Sequence, residues 1–253
     1  MGARLGQHFL CDPAILGRIA AAALPEPGGV VLEIGPGKGT LTRALAARAT
    51  RVIAIETDRR LAETLAADPP APNVEIVHGD ALLVPWPVAD VIAGNIPYRI
   101  TSPLIERSLA APRPWRVVFL VQREVADRLA APPGSRTYGA LSAGVQLVAD
   151  VERLFTVKAG AFRPPPKVES AVVRITPLAL SAQPSAAEEA ATRRIIQALF
   201  QRRRKQIRTA LGQAFPDTDV AAWLVVAGLD PAARPEQLRP ADFLALARLG
   251  PTP

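Results

Sequence analysis

The first two-thirds of the chain alternate short apolar runs with longer amphipathic ones. Five runs are predicted to be strands: VVLEI (30–34), RVIAIE (51–56), VEIVHGD (74–80), DVIAGN (90–95) and RVVFLV (116–121). Three of them are almost purely apolar, as strands buried on both faces should be. Helical patterns follow them: TLTRALAARA (40–49), DRRLAETLAAD (58–68), TSPLIERSLA (101–110) and REVADRLAA (123–131). This alternation predicts an α/β fold, with a parallel sheet covered by helices on both faces.

Two more strands are predicted after residue 149, with a proline-rich connection between them. They are DVERLFTV (150–157) and VESAVVRITP (168–177), joined through FRPPPK (162–167). We expect them to form a hairpin-like edge of the same sheet.

After Pro177 the pattern changes. LALSAQPS (178–185) is small, polar and proline-bearing, which is typical of a linker. From Ala186 onward only helical patterns remain, and the segment Asp217 to Asp219 offers an N-cap for VAAWLVV (220–226). We therefore predict an α/β domain over 1–180 and a small all-helical domain over 181–253.

Composition narrows the class of protein. The chain has 253 residues, 49% hydrophobic and 21% charged, which is ordinary for a globular protein. Cys11 is the single cysteine, so no internal disulfide can form, and we expect a reducing, cytoplasmic compartment. His8 and His78 add too few ligands for a familiar zinc site, so we expect no metal. No apolar run approaches the ~20 residues of a membrane span.

The net charge is +7, and part of the excess is local. Seven basic residues occur within one short segment: Arg193, Arg194, Arg202, Arg203, Arg204, Lys205 and Arg208. Such a cluster favours contact with nucleic acid or another anionic surface. A solvated helix face stays open as the alternative on this feature alone.

Three motifs at the ends of successive predicted strands indicate a nucleotide-like ligand. Gly35, Gly37 and Gly39 in VLEIGPGKGTLT (31–42) allow a sharp turn and a close approach of the backbone to a ligand. Glu56 is placed to accept hydrogen bonds from ribose hydroxyls, and Asp80 could accept one from an adenine amine. Together they favour an adenosine-bearing cofactor, for which NAD and S-adenosylmethionine both qualify.

The segment GNIPY (94–98) ends the fourth predicted strand at the same edge. Asn95 offers an amide oxygen, Ile96 a carbonyl whose direction Pro97 restricts, and Tyr98 a ring face for stacking. Two acceptors and a stacking ring suit an exocyclic amine on a flat base taken out of its helix. Amine methylation of adenine is the chemistry that this group of residues favours.

These motifs, in this order, resemble those of the ribosomal RNA adenine N6,N6-dimethyltransferase family, the KsgA-type enzymes that act on the small subunit. The resemblance covers nearly the whole chain. It rests on LGQHFL (5–10), EIGPGKGTLT (33–42), IETD (55–58), GDAL (79–82), GNIPYRITSPL (94–104), FRPPPKVESAVVRI (162–175) and FQRRRKQIRTAL (200–211). It implies a Rossmann-like S-adenosylmethionine-dependent methyltransferase sheet with a helical C-terminal domain.

The resemblance also implies roles for single residues. Those implied for S-adenosylmethionine are His8, Leu10, Gly35, Gly37, Glu56, Asp80 and Asn95. Those implied for the target adenine are Asn95, Pro97 and Tyr98, with Phe162 as a second stacking ring. Those implied for RNA contact are Arg202, Arg203, Arg204, Lys205 and Arg208. Position 8 departs from the family, since many relatives have asparagine there.

The implied substrate is a pair of adjacent adenines in a hairpin loop near the 3′ end of small-subunit (16S) rRNA, each receiving two methyls. The partner is then the rRNA or an assembling 30S subunit, and we expect a monomer. An Erm-type enzyme acting on an adenine of large-subunit rRNA is the nearest alternative. A non-catalytic ribosome-assembly factor and an NAD dehydrogenase are more distant ones.

Overall fold

The structure, a computed structural model, describes residues 7–250, without the side chain of Arg99. Leu5 and Gly6 of the LGQHFL motif lie outside the described residues. The chain divides into two units. The sheet unit comprises the residues up to Ala126 together with Val151–Pro177, and the helical unit comprises Asp127–Asp150 and the residues from Leu178 onward.

Nine strands occur in the described chain. They are β1 (Phe9–Leu10), β2 (Val30–Ile34), β3 (Arg51–Glu56), β4 (Val74–His78), β5 (Val91–Asn95), β6 (Arg116–Gln122), β7 (Ala149–Val157), β8 (Phe162–Arg163) and β9 (Ser170–Pro177). Seven of them form one sheet in the order β4-β3-β2-β5-β6-β9-β7. The pairs from β4 to β6 are parallel, whereas β9 runs antiparallel to β6. The α/β fold and its parallel sheet are therefore confirmed.

Apolar runs become central strands because both of their faces are covered. In β2, Val31 and Leu32 are fully buried, and β6 buries every residue from Val117 to Val121. The two late strands lie side by side at one edge of the sheet, as the sequence predicted. Their connection forms a structure that the sequence did not predict, since β8 leaves the main sheet and pairs antiparallel with β1.

Ten helices accompany the strands in the described chain. They are α1 (Pro13–Ala23), α2 (Thr40–Ala46), α3 (Arg59–Ala67), α4 (Thr101–Ser108), α5 (Arg123–Leu129), α6 (Ala140–Gln146), α7 (Ala186–Gln201), α8 (Ile207–Ala214), α9 (Val220–Val226) and α10 (Pro240–Leu249). Asp12 and Asp58 cap α1 and α3 through two backbone N–H groups each. Asp219 caps α9, which confirms the predicted N-cap. No described helix is both long and apolar enough to cross a membrane.

The helical unit has its own apolar core. Leu199 of α7, Leu211 of α8, Leu224 of α9 and Leu246 of α10 meet there with no exposed surface. Tyr138 and Ala143 belong to the same core, although they precede β7. The chain thus divides differently from the predicted 1–180 and 181–253: residues 127–150 join the helical unit because their apolar side chains complete its core.

Candidate active site at the carboxyl edge of the sheet

The order β4-β3-β2-β5 places the carboxyl ends of four parallel strands side by side. Asp80 follows β4, Glu56 ends β3, Gly35 follows β2 and Asn95 ends β5. Ligands of open α/β sheets bind outside this edge. The four motifs that the sequence spreads over 60 residues therefore lie along one edge of a single sheet.

The glycine turn after β2 approaches both Glu56 and Asn95. Gly35 and Gly37 have φ values of +71° and +59°, a conformation that L side chains rarely adopt. The Gly37 N–H donates to Glu56 Oε2 over 2.9 Å. A Cβ at Gly35 would have one atom within 4 Å, the Asn95 carbonyl oxygen at 4.0 Å, so the space between the turn and β5 is open here. The turn thus leaves a cradle beside Asn95 that a side chain would occupy.

Glu56 is bound to the glycine turn, and it is almost fully buried. Its Oε2 accepts from Gly37 and its Oε1 accepts from the Asp58 N–H over 2.9 Å. Each carboxylate oxygen can accept more than one hydrogen bond, so Glu56 keeps capacity for ligand hydroxyls. The two backbone donors hold the carboxylate in one orientation.

Asp80 lies beside Glu56 but is exposed. The Gly79 N–H donates to the Glu56 carbonyl over 2.9 Å, which links the two strand ends. The Oδ1 of Asp80 accepts from the Leu82 N–H over 2.8 Å, so this side chain also stabilises its own turn. Its Oδ2 accepts no hydrogen bond from the residues that the structure describes.

The N-terminal strand β1 lies close to the glycine turn. The ring of Phe9 comes within 3.0 Å of the position that a Cβ on Gly37 would take. The Leu10 carbonyl accepts from the Thr40 hydroxyl at the start of α2 over 2.8 Å. The Leu10 side chain points into the core, where it is 2% exposed. Leu10 therefore contributes backbone to this edge and anchors the segment that carries His8.

The Asn95 side chain is hydrogen-bonded through its Nδ2 but not through its Oδ1. Its Nδ2 donates to the His8 carbonyl over 2.8 Å, which fixes the plane of the amide. Its Oδ1 accepts nothing from the described residues and remains a directed acceptor. No described donor reaches the carbonyl of Ile96 either, while the Ile96 N–H is bound to Leu120. Two neighbouring acceptors thus have no partner among the described residues.

Tyr98 begins a short 3-10 turn after the exposed Pro97. Its hydroxyl shares a 2.8 Å hydrogen bond with Ser170 Oγ, and its ring stacks on His8 with centroids 6.1 Å apart and planes 29° apart. Burial raises the pKa of Tyr98, and the hydrogen bond with Ser170 lessens that rise. Tyr98 therefore stays a neutral phenol near neutral pH, suited to stacking.

Phe162 does not fit the stacking role that was expected for it. Its side chain has no exposed surface and packs in the core with Leu10, Val157 and Val172. The pairing of β8 with β1 turns the ring inward, opposite Leu10 in the register. Of the two rings expected to stack on the base, only Tyr98 has exposed surface.

Glu33 is a buried acid in β2 to which the sequence alone assigned no role, although a charge inside the apolar run VVLEI was a visible signal. Neither of its carboxylate oxygens has a hydrogen-bond partner among the described residues. Burial raises the pKa of Glu33 to about 8; the nearby Thr42 hydroxyl lowers it somewhat and the Glu56 carboxylate raises it. Glu33 is therefore largely protonated at neutral pH.

Replacing Glu33 by glutamine is expected to flatten the pH dependence of the free energy of unfolding. The folded carboxyl titrates at about 8 and the unfolded one near 4.5, so its stabilising effect is complete below pH 4.5 and is lost as the pH rises to about 8. A pKa difference of one between the folded and unfolded states corresponds to ~1.4 kcal/mol. Urea unfolding at pH 5 and pH 8.5 measures this. If the free energy of unfolding fell equally between pH 5 and pH 8.5 in wild type and in Glu33→Gln, the burial argument would be contradicted.

The basic cluster lies in the helical unit, between α7 and the start of α8. Arg202 donates to Gln213 Oε1, and Arg203 donates to the Arg136 carbonyl over 2.8 Å and lies 3.8 Å from Glu236. The other three side chains are exposed and carry no hydrogen bond or ion pair to described residues: Arg204, Lys205 and Arg208. Of the five basic residues expected to contact RNA, two therefore have structural partners and three have none among the described residues. Of the two earlier members of the cluster, Arg193 pairs with Glu189 over 2.8 Å.

Ser170 and Thr40 are contacts of this edge to which the sequence alone assigned no role. Thr40 follows the glycine turn directly, so its position was a weak signal. Ser170 is 72 residues from Tyr98. It lies in the motif FRPPPKVESAVVRI (162–175), but nothing in that motif points to a contact with Tyr98. In the described part of the chain, no group of three or more His, Cys, Asp or Glu residues is arranged to hold a metal ion.

Comparison with known proteins gives consistent matches over nearly the whole chain. The family model described as ribosomal RNA adenine dimethylase matches residues 2–249. A protein from Synechococcus sp. (strain JA-3-3Ab), named ribosomal RNA small subunit methyltransferase A, is 43% identical over 97% of this chain and 91% of its own length. Similar names recur among other relatives at about this identity.

Two solved structures share the fold over both units of the chain. A dimethyladenosine transferase from Plasmodium falciparum matches with a TM-score of 0.80 and 29% identity, covering 94% of this chain and 96% of that one. The 23S rRNA methyltransferase ErmE matches with a TM-score of 0.74 and 32% identity, covering 95% and 98%. By the family model and by its relatives, the chain belongs to the ribosomal RNA adenine dimethylase family.

Proposed function

We propose that this protein transfers methyl groups from S-adenosylmethionine to the N6 of adenines in small-subunit rRNA. The observation that carries the proposal is the amide of Asn95. Its Nδ2 is bound to the His8 carbonyl, so its Oδ1 is held as a free acceptor beside the glycine turn and Tyr98. An acceptor fixed in this way suits an amine that must be held still while it reacts.

The residues at the strand ends fit S-adenosylmethionine. The cradle beside Gly35 and Asn95 admits a ligand where a Cβ would otherwise lie. Glu56 is oriented to accept from ribose hydroxyls, and the Oδ2 of Asp80 is free to accept from an adenine amine. When bound, S-adenosylmethionine supplies an electrophilic methyl group on a sulfonium. His8 and Leu10 hold the N-terminal segment over this edge through backbone groups.

The target adenine is held by Asn95, Ile96 and Tyr98. Its N6 lone pair is delocalised into the ring, which makes the amine a poor nucleophile. The Asn95 Oδ1 and the Ile96 carbonyl accept both N–H groups out of the ring plane and favour a pyramidal nitrogen. Tyr98 stacks under the base, and Pro97 sets the direction of the preceding carbonyl. Positioning then supplies much of the rate enhancement.

No general base is required in this scheme. The product ammonium is acidic enough to lose its proton to solvent. The raised pKa of Tyr98 keeps its hydroxyl protonated, so the ring serves for stacking and not for proton removal. Glu33 of β2 is buried with its carboxyl mostly neutral, and it has no part in accepting the proton.

The small subunit is the favoured substrate over the large one. The relative at 43% identity is named for the small subunit, whereas ErmE, named for 23S rRNA, is 32% identical. The family resemblance further implies two adjacent adenines in the 3′-terminal hairpin loop, each receiving two methyls, in rRNA or an assembling 30S subunit. The protein acts as a cytoplasmic monomer, and its free cations at Arg204, Lys205 and Arg208 contact RNA phosphates.

A map of methylated adenines tests the proposal. Primer extension on rRNA from cells with the gene should show two adjacent stops near the 3′ end of the small-subunit rRNA. These stops should be absent in cells without the gene. The purified protein should restore them on undermethylated small subunits with labelled S-adenosylmethionine. Loss of a mark in large-subunit rRNA alone would instead support the Erm-type alternative.

A further inference from the structure

Tyr98 carries a hydroxyl that stacking on a base does not need. A phenylalanine would present the same ring face, so the hydroxyl calls for another explanation. Within the described chain its partner is Ser170 Oγ, at 2.8 Å. We propose that Ser170 is a positioning residue for methyl transfer: it holds Tyr98 by its hydroxyl and so keeps the ring in the place where the target adenine stacks.

Ser170 is buried and paired within the sheet. It is the first residue of β9, opposite Gln122 in the register with β6, and it has no exposed surface. The preceding residue, Glu169, accepts the Arg123 N–H at its carbonyl and pairs with the Arg123 guanidinium over 2.6 Å. The backbone that carries the Ser170 hydroxyl is therefore held by the sheet, and the hydrogen bond extends this restraint to Tyr98.

The donor in this hydrogen bond follows from burial. Ser170 is fully buried and has no other described partner, so its O–H must donate to Tyr98 if the buried hydrogen is to be satisfied. Tyr98 is only partly buried, so its own O–H can donate to water or to RNA. A donated hydrogen bond also favours the phenolate, in keeping with the lowering effect of Ser170 on the Tyr98 pKa.

The ring has a second restraint, which acts on its face. His8 stacks on Tyr98 at 6.1 Å between centroids, and its Nδ1 is within 2.9 Å of the Pro164 carbonyl. With Phe162 buried, Tyr98 is the exposed ring of the pair first expected to stack on the base. A swinging Tyr98 would leave the base without that support, so its anchor at Ser170 bears directly on the rate. This inference rests on the proposed methylation of adenine.

The kinetic test compares Ser170→Ala, Tyr98→Phe and the double variant on undermethylated small subunits. Loss of the anchor should lower kcat by about 5- to 10-fold, the worth of one hydrogen bond, with KM for the subunit within about twofold. The double variant should lose no more than either single one, because both changes remove the same bond. Losses that multiply, or full activity in Ser170→Ala, would overturn the proposal.

Ser108→Ala is the matched control, because Ser108 is a buried serine of α4 whose Oγ donates to the Ile105 carbonyl and does not contact Tyr98. Its kcat should equal that of wild type even where its melting temperature falls. If the wild type itself transfers no methyl to small subunits, the proposed function fails and not the role of Ser170.

A spectroscopic test is independent of turnover. The chain has two tyrosines, Tyr98 and Tyr138, so protein labelled with 3-fluorotyrosine gives two 19F signals that Tyr138→Phe assigns. Ser170→Ala should shift and sharpen the Tyr98 signal as the ring gains motion, and should leave the Tyr138 signal in place. An unchanged Tyr98 signal would show that Ser170 does not hold the ring.

Discussion

Asn95→Ala is expected to lower methyl transfer by about 10²–10³-fold or more, with RNA affinity within a few-fold of wild type. The change removes the Oδ1 acceptor that faces the target amine, and it also removes the 2.8 Å bond from Nδ2 to the His8 carbonyl. The amine then has one acceptor, at Ile96, and its lone pair is no longer directed. The strand itself should persist, because the backbone of β5 stays paired with β2 and β6.

Single-turnover transfer of labelled methyl to undermethylated small subunits measures this loss, and filter binding measures RNA affinity. Asn73→Ala is the matched control: the Asn73 amide donates to the carbonyls of Ala46 and Ala49 and is therefore structural. It should lower the free energy of unfolding and leave turnover per folded molecule unchanged. Turnover at the wild-type level in Asn95→Ala would refute the assigned role of this amide.

The second large effect is expected in RNA binding. Replacing Arg204, Lys205 and Arg208 together by glutamine should weaken binding to the small subunit by about 10- to 100-fold at low salt. The slope of log affinity against log salt concentration should fall by about 2–3, close to one for each phosphate that is no longer neutralised. These side chains are exposed and unpaired in the described structure, so their charges are available to phosphates.

Titrations over a range of salt concentrations provide the measurement. The variant Arg204→Lys, Lys205→Arg, Arg208→Lys keeps every charge and should keep both the affinity and the slope. Arg203→Gln should act differently, since Arg203 donates to the Arg136 carbonyl: stability should fall while the slope changes little. If the triple glutamine variant binds like wild type with the same slope, the cluster is only a solvated face.

Much of the sheet could be predicted because strand patterns are local. The apolar runs at 30–34 and 51–56 became β2 and β3 with the predicted bounds, and the run at 116–121 became β6 with one residue added. A strand buried on both faces must be apolar along its length, and that demand is visible in a short window. Glu33 broke this pattern and marked a special position, although its raised pKa depends on the complete absence of solvent around it.

The helical unit shows where local patterns fail. The segment 127–150 lies before β7 and includes its first two residues, and its own sequence gives no sign that Tyr138 packs with Leu199 and Phe243. The prediction for Phe162 fails for the same reason, since its motif suggested a ring that stacks on the base. The pairing of β8 with β1, between residues more than 150 positions apart, buries it.

The amino-acid sequence alone determined the order of the strands in the chain, the glycine turn and the chemistry of GNIPY, because each depends on neighbouring residues. Tertiary structure decided which groups remain free to act. The Asn95 amide is oriented by the His8 carbonyl, 87 residues away in the sequence, and Tyr98 is hydrogen-bonded to Ser170, 72 residues away. Phe162 is buried in the core. Hydrogen-bond partners and burial depend on distant segments meeting, and a linear pattern does not record those meetings.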